Sequence, residues 1–320
     1  MGEPISRLNP KVESSIQKIL LNHSVQFLTS IAMMLPFRVH NKRGPKPHDY
    51  RIVLVLCILR ILFRKTYADY EIEMRTDPRI CSLFGLKILP GRSTIQRGMD
   101  LLSMESLREF NFLLLRELLK RKLSIILDAT GIRIHCRSIW YCLKIKKNIH
   151  KRDCDKVHLA VCADLLLILN WRITKWRKHD SPFFKVLLAP FRLLKLIFAD
   201  KGYLSRKNFQ FVYDRKGALF APFKSNSTAS PKSHPAWKFA FNLWKLFNTI
   251  YMSIYHQRSK IEAVFSALKK RYGDKLYCKK ARMRRKEMAL RFIAYNLRII
   301  ICYKYATENN LPLWIRAKKE

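Results

Sequence analysis

The hydrophobic pattern of this chain changes near residue 120, and this change constrains the fold more than any other feature of the sequence. Before it, apolar residues recur at helical spacing, first over Val12–Met34 and again over about Tyr50–Arg64. After it, Leu123–Leu127 forms a compact apolar run that ends at Asp128, as a buried strand does. The sequence therefore predicts two domains, a helical one followed by an α/β one.

Strands and helices alternate in the second predicted domain. Further strands are expected at Val157–Ala163, Leu167–Thr174, Leu196–Ala199 and Leu219–Phe223, and helices at Phe183–Leu194, at Asn208–Arg215 and from Trp237 onward. Asp180, Ser181 and Pro182 are expected to cap the first of these helices, with the proline in its first turn. This order favours a mixed sheet with helices around it.

The chain is strongly basic. Its 63 Lys and Arg residues outnumber 23 Asp and Glu residues, which gives a formal net charge of +40. A charge of this size repels itself unless a polyanion neutralises it, and each cation placed on a phosphate releases a condensed counterion. Hydrophobic residues make up 49% of the chain, which favours a folded core over disorder. The composition indicates a nucleic-acid-binding protein without saying what it does to the nucleic acid.

Cysteine spacing and apolar runs indicate where the protein works. The eight cysteines form no Cys-x-x-Cys pair and no Cys/His spacing typical of zinc, so we interpret them as reduced thiols of a cytoplasmic protein. Residues Met1–Pro10 lack the apolar core of a signal peptide. The longest apolar run, Ile52–Phe63, is too short to span a bilayer and contains Arg60. We expect a buried helix there and no membrane partner.

Two carboxylates stand at the ends of apolar strands. Asp128 follows Leu123–Leu127, and Asp200 follows Leu196–Ala199. A charge at a strand end is costly to bury unless something pairs with it, and a divalent cation is one such partner. With Glu262 on a later helix, these residues offer the hard oxygen ligands that Mg²⁺ or Mn²⁺ prefers.

One helical segment combines a polar stripe with an apolar one. On a helix that advances about 100° per residue, Tyr255, Arg258, Glu262 and Lys269 fall within a stripe roughly 60° wide. The neighbouring apolar stripe consists of Ile261, Phe265, Leu268 and Tyr272. A glutamate flanked by cations suits a nuclease that holds metal against a phosphate. An ordinary amphipathic helix with a solvated charged face has the same pattern.

Together these motifs resemble those of insertion-sequence DDE transposases, in the group whose third acidic residue lies in a Tyr-Arg-Glu-Lys signature. The signature residues are matched in identity and spacing by Tyr255, Arg258, Glu262 and Lys269. The first motif is resembled by Asp128, Thr130 and Gly131, the second by Asp200, Lys201, Gly202 and Tyr203, and supporting fragments by His158–Val161, Lys178–Pro182 and Pro222–Ser225.

The resemblance implies an α/β fold with an RNase H-like mixed sheet flanked by helices and preceded by an all-α N-terminal domain. The implied domains are a helical DNA-binding domain at 1–118, a DDE catalytic domain at 119–305 and a basic tail at 306–320. It also implies a transposase that cleaves double-stranded DNA and transfers the strands, acting on the terminal inverted repeats of its element and on target DNA, as a homodimer in the DNA complex.

The resemblance also implies roles for the site residues. Asp128 would bridge two Mg²⁺ or Mn²⁺ ions, while Asp200 and Glu262 would each hold one. Arg258 and Lys269 would contact DNA phosphates beside the scissile bond. Tyr255 is expected to stack on a base or to bind a phosphate, and no covalent enzyme intermediate is expected.

The N-terminal domain and the C-terminal part offer further DNA-binding candidates. Arg97 lies on a helix that opens at Ser93, where Gln96 has the spacing of a capping box; this helix could lie in a DNA groove or pack within the domain. The densest basic run, Lys279–Lys286, includes Arg284 and Arg285 and could grip DNA or form a solvated turn.

Several features depart from the resemblance or leave alternatives open. Asp164 leads into three leucines where a hairpin turn favours glycine, so we expect a distorted or longer hairpin. The basic segment Cys142–Lys156 is a candidate loop over DNA, and a structural role is favoured for His158 and His179 over a metal site. The alternatives to a transposase are an inactive, decayed copy that only binds DNA and an RNase H-like nuclease without strand transfer.

Overall fold

The computed structural model describes residues 6–36, 48–76, 81–82, 84–134, 154–230 and 234–316. The first elements are strand β1 (Ser6–Leu8) and helices α1 (Pro10–Ala32), α2 (Tyr50–Leu62), α3 (Tyr67–Thr76), α4 (Arg92–Leu101), α5 (Met104–Leu114) and α6 (Arg116–Leu119). They are followed by β2 (Leu123–Ile134), β3 (Cys154–Cys162), β4 (Ile168–Lys175), α7 (Phe183–Leu188), β5 (Leu194–Ala199), a 3₁₀ turn (Lys201–Tyr203), α8 (Arg206–Tyr213) and β6 (Ala218–Phe220). The last elements are α9 (Pro235–Leu246), α10 (Asn248–Tyr255), a 3₁₀ turn (His256–Ser259), α11 (Lys260–Tyr272), β7 (Lys275–Leu276), α12 (Ala281–Glu308) and β8 (Trp314–Arg316).

The chain divides into two compact units. One is built around Leu115–Leu276, and the other joins Leu8–Leu114 to Tyr277–Ile315. This grouping differs from the predicted domains, which assign α12 to the catalytic domain. The reason lies in packing, because α12 contacts α1, α2 and α5 and buries apolar side chains such as Leu290 and Ile293. A helix can be recognised from its sequence, but its packing partner is set by side-chain fit.

The unit around Leu115–Leu276 contains a mixed six-stranded sheet. Its strand order is β4-β3-β2-β5-β6, and β7 pairs with the far end of β2. Strand β2 runs antiparallel to β3 and parallel to β5 and β7, which makes it the centre of the sheet. The prediction of a mixed α/β sheet is therefore confirmed.

The buried runs of β2 and β5 explain why these strands lie inside. Residues Ile125, Ile126 and Leu127 are fully buried, and so are Ile197 and Phe198. Continuous apolar runs of this kind are typical of parallel strands that are covered on both faces. Leu127 pairs with Ala199, so the residues that follow them, Asp128 and Asp200, lie side by side. The predicted end of the first strand at Asp128 is wrong, because β2 continues to Ile134 through its pairing with β3 and β7.

The other unit buries its apolar residues between helices. Helix α2 is apolar nearly all round, with residues Val53 to Leu59 buried, as expected for a helix surrounded by others. Asn111 and Asn296 meet inside this unit through a hydrogen bond of 2.8 Å. Strands β1 and β8 form a separate two-stranded sheet. Within the described residues, no helix is both long enough and apolar enough to cross a membrane.

Two predicted caps are wrong. The N-cap of α4 is Gly91 without a side-chain hydrogen bond, so the capping box of Ser93 and Gln96 does not form. The N-cap of α7 is Pro182, again without a side-chain bond, and α7 ends at Leu188, before Pro190. Proline lacks an N–H and clashes with the preceding turn, which explains the early end.

The hairpin between β3 and β4 is tight but strained, which agrees with the expected distortion. The backbone N–H of Cys162 donates to the carbonyl of Leu167 at 2.8 Å. Between them Leu166 adopts a left-handed conformation with φ of 57°, which a leucine rarely takes. Most of the predicted Cys142–Lys156 loop lies outside the described residues; its last three residues belong to β3.

Candidate active site

The two predicted aspartates lie together on neighbouring strands. Asp128 is part of β2, and Asp200 follows β5 directly, beside it in the parallel register. Nη2 of Arg258 lies 2.9 Å from Oδ2 of Asp128 and 4.0 Å from Oδ1 of Asp200. One guanidinium therefore faces both carboxylates and offsets part of their negative charge.

Burial controls the ionisation of Asp128. Its pKa is raised above the usual value, mainly because burial disfavours the charged carboxylate and partly because Asp200 is close. Arg258 and the backbone N–H of Ala129, which donates to Oδ1 at 2.8 Å, oppose this rise. The ionised form of Asp128 is thus disfavoured, and additional positive charge near it would stabilise that form.

Arg258 reaches the aspartates from the 3₁₀ turn His256–Ser259, between α10 and α11. Burial is the largest single influence and lowers the pKa of its guanidinium, but Asp128, Tyr255 and Asp200 together outweigh burial and leave the pKa raised. Its Nε is buried without a hydrogen-bond partner among the described residues. The Arg258 side chain is therefore held mainly by its ion pairs with Asp128 and Asp200.

A second cation of the Tyr-Arg-Glu-Lys set also contacts β2. Nζ of Lys269, on α11, donates to Oγ1 of Thr130 at 3.2 Å. Thr130 lies two residues after Asp128, so both side chains leave β2 on the same face. The two cations predicted to bind DNA therefore each contact a residue of the first acidic motif.

Two tyrosines lie near the aspartates. Tyr255 ends α10 and is buried, and burial is the main reason why its pKa is raised. The pKa of Tyr203 is raised by burial first and by the charges of Asp180, Asp128 and Asp200 next. The Tyr203 hydroxyl is buried without a hydrogen-bond partner among the described residues.

The structure does not gather Glu262 with the two aspartates. Glu262 lies exposed in the first turn of α11, four residues after Arg258. Across the described parts of the chain, no three His, Cys, Asp or Glu side chains form a group that could hold a metal ion. The pair Asp128–Asp200 is assembled, while the third predicted ligand stands apart on the neighbouring helical segment.

A buried histidine and its partners form a second polar cluster in this unit. Oδ1 of Asp180 lies 2.7 Å from Nζ of Lys156 and 3.2 Å from Nδ1 of His158. The His158 ring is fully buried, stacks on Phe183 and bonds Thr174 through Nε2 at 3.0 Å.

This cluster supports the structural role predicted for His158. Burial would raise the pKa of Asp180, but His158 and Lys156 outweigh burial and leave the pKa lowered. Sequence analysis placed Lys156 in a DNA-facing loop and missed this partnership. The signal was available, because Lys156 and His158 are two residues apart on a strand and so share a face. His179, the other histidine of the motif, is exposed.

The remaining DNA-binding candidates lie in the other unit. Arg97 is exposed on α4. Arg285 is exposed near the start of α12, while Arg284 is half-exposed and donates from Nη1 to the carbonyl of Lys279 at 2.7 Å. These positions suit contact with a polyanion.

Comparison with known sequences identifies the class of protein. Residues 120–297, more than half of the chain, match the family described as Transposase DDE domain. The matched segment contains the mixed sheet, Asp128, Asp200 and Glu262. The protein is therefore a transposase. More narrowly, it belongs to the DDE-domain family of transposases, whose function is DNA transposition.

A comparison with solved structures also found similarity. The fold is similar to that of a piggyBac transposase in a cryo-EM structure of its synaptic complex with hairpin DNA, with a TM-score of 0.46 and 10% sequence identity. The similarity covers 93% of this chain and 77% of that chain. No curated protein sequence matches the chain.

Proposed function

We propose that this transposase binds the ends of its element, cleaves the DNA there and joins the freed strands to target DNA by in-line phosphoryl transfer. The observation that carries the proposal is that Asp128 on β2 lies beside Asp200, which directly follows the neighbouring strand β5, with Arg258 against both. Phosphoryl transfer depends chiefly on positioning and on charge stabilisation, and a rigid central sheet supplies the positioning.

The proposed catalytic residues are Asp128, Asp200 and Glu262, and they fit a pair of Mg²⁺ or Mn²⁺ ions by the chemistry of their donors. All three offer hard carboxylate oxygens, and Asp128 carries a buried charge that a cation would stabilise. When bound, such ions supply positive charge that activates a water or 3′-hydroxyl and steadies the leaving oxygen. In this proposal Asp128, Asp200 and Glu262 would together hold the two ions.

The cations of the signature would position DNA. Arg258 is able to donate two parallel hydrogen bonds to a phosphate, and Lys269 offers a compact charge nearby on α11. Both contact β2, Arg258 through Asp128 and Lys269 through Thr130. Transfer of Arg258 from the aspartates to a DNA phosphate would free both carboxylates for cation binding. Tyr255 would stack on a base or bind a phosphate from the same segment.

The finer assignments follow the resemblance. We assign the chain to the insertion-sequence group with the Tyr-Arg-Glu-Lys signature, with an RNase H-like catalytic domain and a helical domain that recognises the terminal inverted repeats. Arg97, Arg284 and Arg285 would contact double-stranded DNA, either element ends or target. Two copies of the chain would bridge two ends.

One experiment separates this function from its two rivals. The protein is incubated with labelled duplexes carrying the DNA ends that flank its gene, with a target plasmid and with Mg²⁺. Products joined to the plasmid support transposition, whereas cut ends without joining support an RNase H-like nuclease. Binding without either product supports a decayed copy that only binds DNA. A reaction with EDTA in place of Mg²⁺ serves as the control.

A further inference from the structure

Two helices far apart in sequence meet at Asp100, in the last turn of α4. Its Oδ2 lies 2.5 Å from Nη2 of Arg282, and its main-chain carbonyl accepts a hydrogen bond from Nζ of Lys286. Nζ of Lys286 also lies 3.9 Å from Oδ1 of Asp100. Arg282 and Lys286 belong to the first two turns of α12. Asp100 therefore fastens the end of α4 to the start of α12 within one unit.

The position of α4 is fixed from its other side. Ile95 and Met99 are fully buried. A Cβ added at Gly98 would lie 2.2 Å from Cγ1 of Val53 on α2, a distance at which atoms clash. Helix α4 thus packs directly on α2 with no room for a side chain at Gly98. The exposed side of α4 is held rigidly by its buried face and by Asp100.

Exposed cations flank the Asp100–Arg282 pair on both helices. Arg97 precedes Asp100 by three residues, and Arg285 follows Arg282 by three, so each lies next to the pair on its own helix surface. Both are exposed, and among the described residues neither forms an ion pair with a carboxylate. Asp100 therefore pairs with Arg282, between the two helices, and leaves the charges of Arg97 and Arg285 available.

The start of α12 adds positive charge that no acid of the helix offsets. Lys279 and Lys280 are exposed just before it, its N-cap has no side-chain hydrogen bond, and its first turn has no acidic residue. The nearest acid on the helix, Glu287, is buried and occupied by Arg291 and by backbone N–H groups. The N-terminus of so long a helix also carries a partial positive charge.

We propose that α4 and the first turns of α12 form one cationic surface that binds the phosphate backbone of duplex DNA regardless of base sequence, with Asp100 holding the two helices together. The inference rests on the proposed function and extends it, since it separates sequence-independent DNA binding from recognition of element ends. Lys and Arg side chains on phosphates fix DNA in place but read no bases. Because α4 is held by α2 and α12, it presents one exposed face to DNA and does not act as an independent recognition helix.

The test compares two double variants of the full-length protein, by fluorescence anisotropy over a range of salt concentrations. Arg97→Gln with Arg285→Gln is expected to weaken binding about tenfold at moderate salt and to reduce the slope of log K against log salt by about 2, since two phosphate contacts are lost. The loss is expected to be equal for an element-end duplex and for an unrelated duplex. Arg97→Lys with Arg285→Lys is expected to restore most of the affinity.

The control variant, Lys11→Gln with Lys304→Gln, removes the same charge from α1 and from the end of α12 and is expected to lose far less affinity. Equal losses in the two Gln variants would overturn the proposal. So would a loss confined to the element-end duplex, which indicates base reading, or a loss seen only with an RNA duplex.

A second measurement does not depend on variants. Hydrogen exchange of the wild-type protein with the unrelated duplex is expected to show joint protection of α4 and the start of α12. Protection of neither segment contradicts the surface. If the wild-type protein neither cuts nor joins DNA, the proposed function fails. If it does both while the Arg→Gln variant binds normally, only the present inference fails.

Discussion

Nη2 of Arg258 donates a 2.9 Å hydrogen bond to Oδ2 of Asp128, so a cation from the segment that begins α11 lies on the central acid of the sheet. The same nitrogen lies 4.0 Å from Asp200. The arrangement offsets part of the negative charge of the two neighbouring carboxylates, and it links the Tyr-Arg-Glu-Lys segment to the strand that carries the first acid. The charges of Asp128, Asp200 and Arg258 should therefore affect both the stability of the fold and the cleavage of DNA.

Replacing Asp128 with Asn should separate stability from activity. Because the pKa of Asp128 is raised in the folded protein, its contribution favours folding below the unfolded-state pKa and is lost as pH rises through the folded-state pKa. Asn resembles the neutral acid, so Asp128→Asn should unfold at a temperature no lower than wild type at pH 7, and the difference should shrink towards pH 4. Thermal melts across this pH range measure it. A variant that is much less stable at pH 7 would contradict the assigned electrostatics.

Replacing Glu262 with Gln should abolish chemistry and leave the fold intact. Glu262 is exposed in the first turn of α11, so the loss of its charge should cost at most about 1 kcal/mol through the helix dipole. Cleavage should fall at least a hundredfold if Glu262 completes the metal site, as removal of a group that stabilises the transition state typically does. Glu308→Gln, at another exposed position, is the matched control. Normal cleavage by Glu262→Gln would remove Glu262 from the proposed catalytic set.

Lys269 should contribute to DNA affinity rather than to folding. Its ammonium donates a hydrogen bond to Oγ1 of Thr130 at 3.2 Å, so its charge lies on the same strand as Asp128. Lys269→Gln should weaken binding of all duplexes alike and lower the salt slope by about 1. Thr130→Val removes the partner and keeps the charge, so its salt slope should match that of wild type. An unchanged slope for Lys269→Gln would exclude a direct phosphate contact.

Gly98 should be intolerant of a side chain. Gly98→Ala places a Cβ 2.2 Å from Val53, so the free energy of unfolding should fall by about 1 to 3 kcal/mol, as overpacked cores do. Val53→Ala removes the clashing methyl groups at the cost of a small cavity. In a double-mutant cycle by urea unfolding, the pair should therefore cost less than the sum of the single changes. Additive costs would show that α4 does not press on α2 at this point.

The sequence predicted those parts of the fold that depend on local pattern. The apolar runs before Asp128 and Asp200 were recognisable as strands because buried parallel strands are continuous apolar runs, and their pairing follows from register once the sheet forms. The prediction of one helix from Tyr255 to Lys269 is wrong, because this segment consists of the end of α10, a 3₁₀ turn and α11. Two of its cations, Arg258 and Lys269, nevertheless reach the same strand.

Long-range choices were not predictable in the same way. The sequence of α12 specifies an apolar helix but not that it packs with α1 and α2 instead of the sheet. Nor does it reveal that Arg258, rather than Glu262, is the side chain against the two aspartates. Several partners of suitable polarity existed for each group, and three-dimensional packing decided between them.

The most direct test of the central claim is a change of metal preference at Asp200. Asp200→Cys replaces a hard oxygen with a thiolate, which binds Mg²⁺ poorly and softer ions better. If Asp200 holds a catalytic ion, the variant should lose at least about a hundredfold of its end cleavage in Mg²⁺ and regain at least about tenfold in Mn²⁺, while Asp200→Ala regains none. Equal cleavage by wild type and Asp200→Cys in Mg²⁺ would contradict the claim that Asp128 and Asp200 hold the metal that cuts DNA.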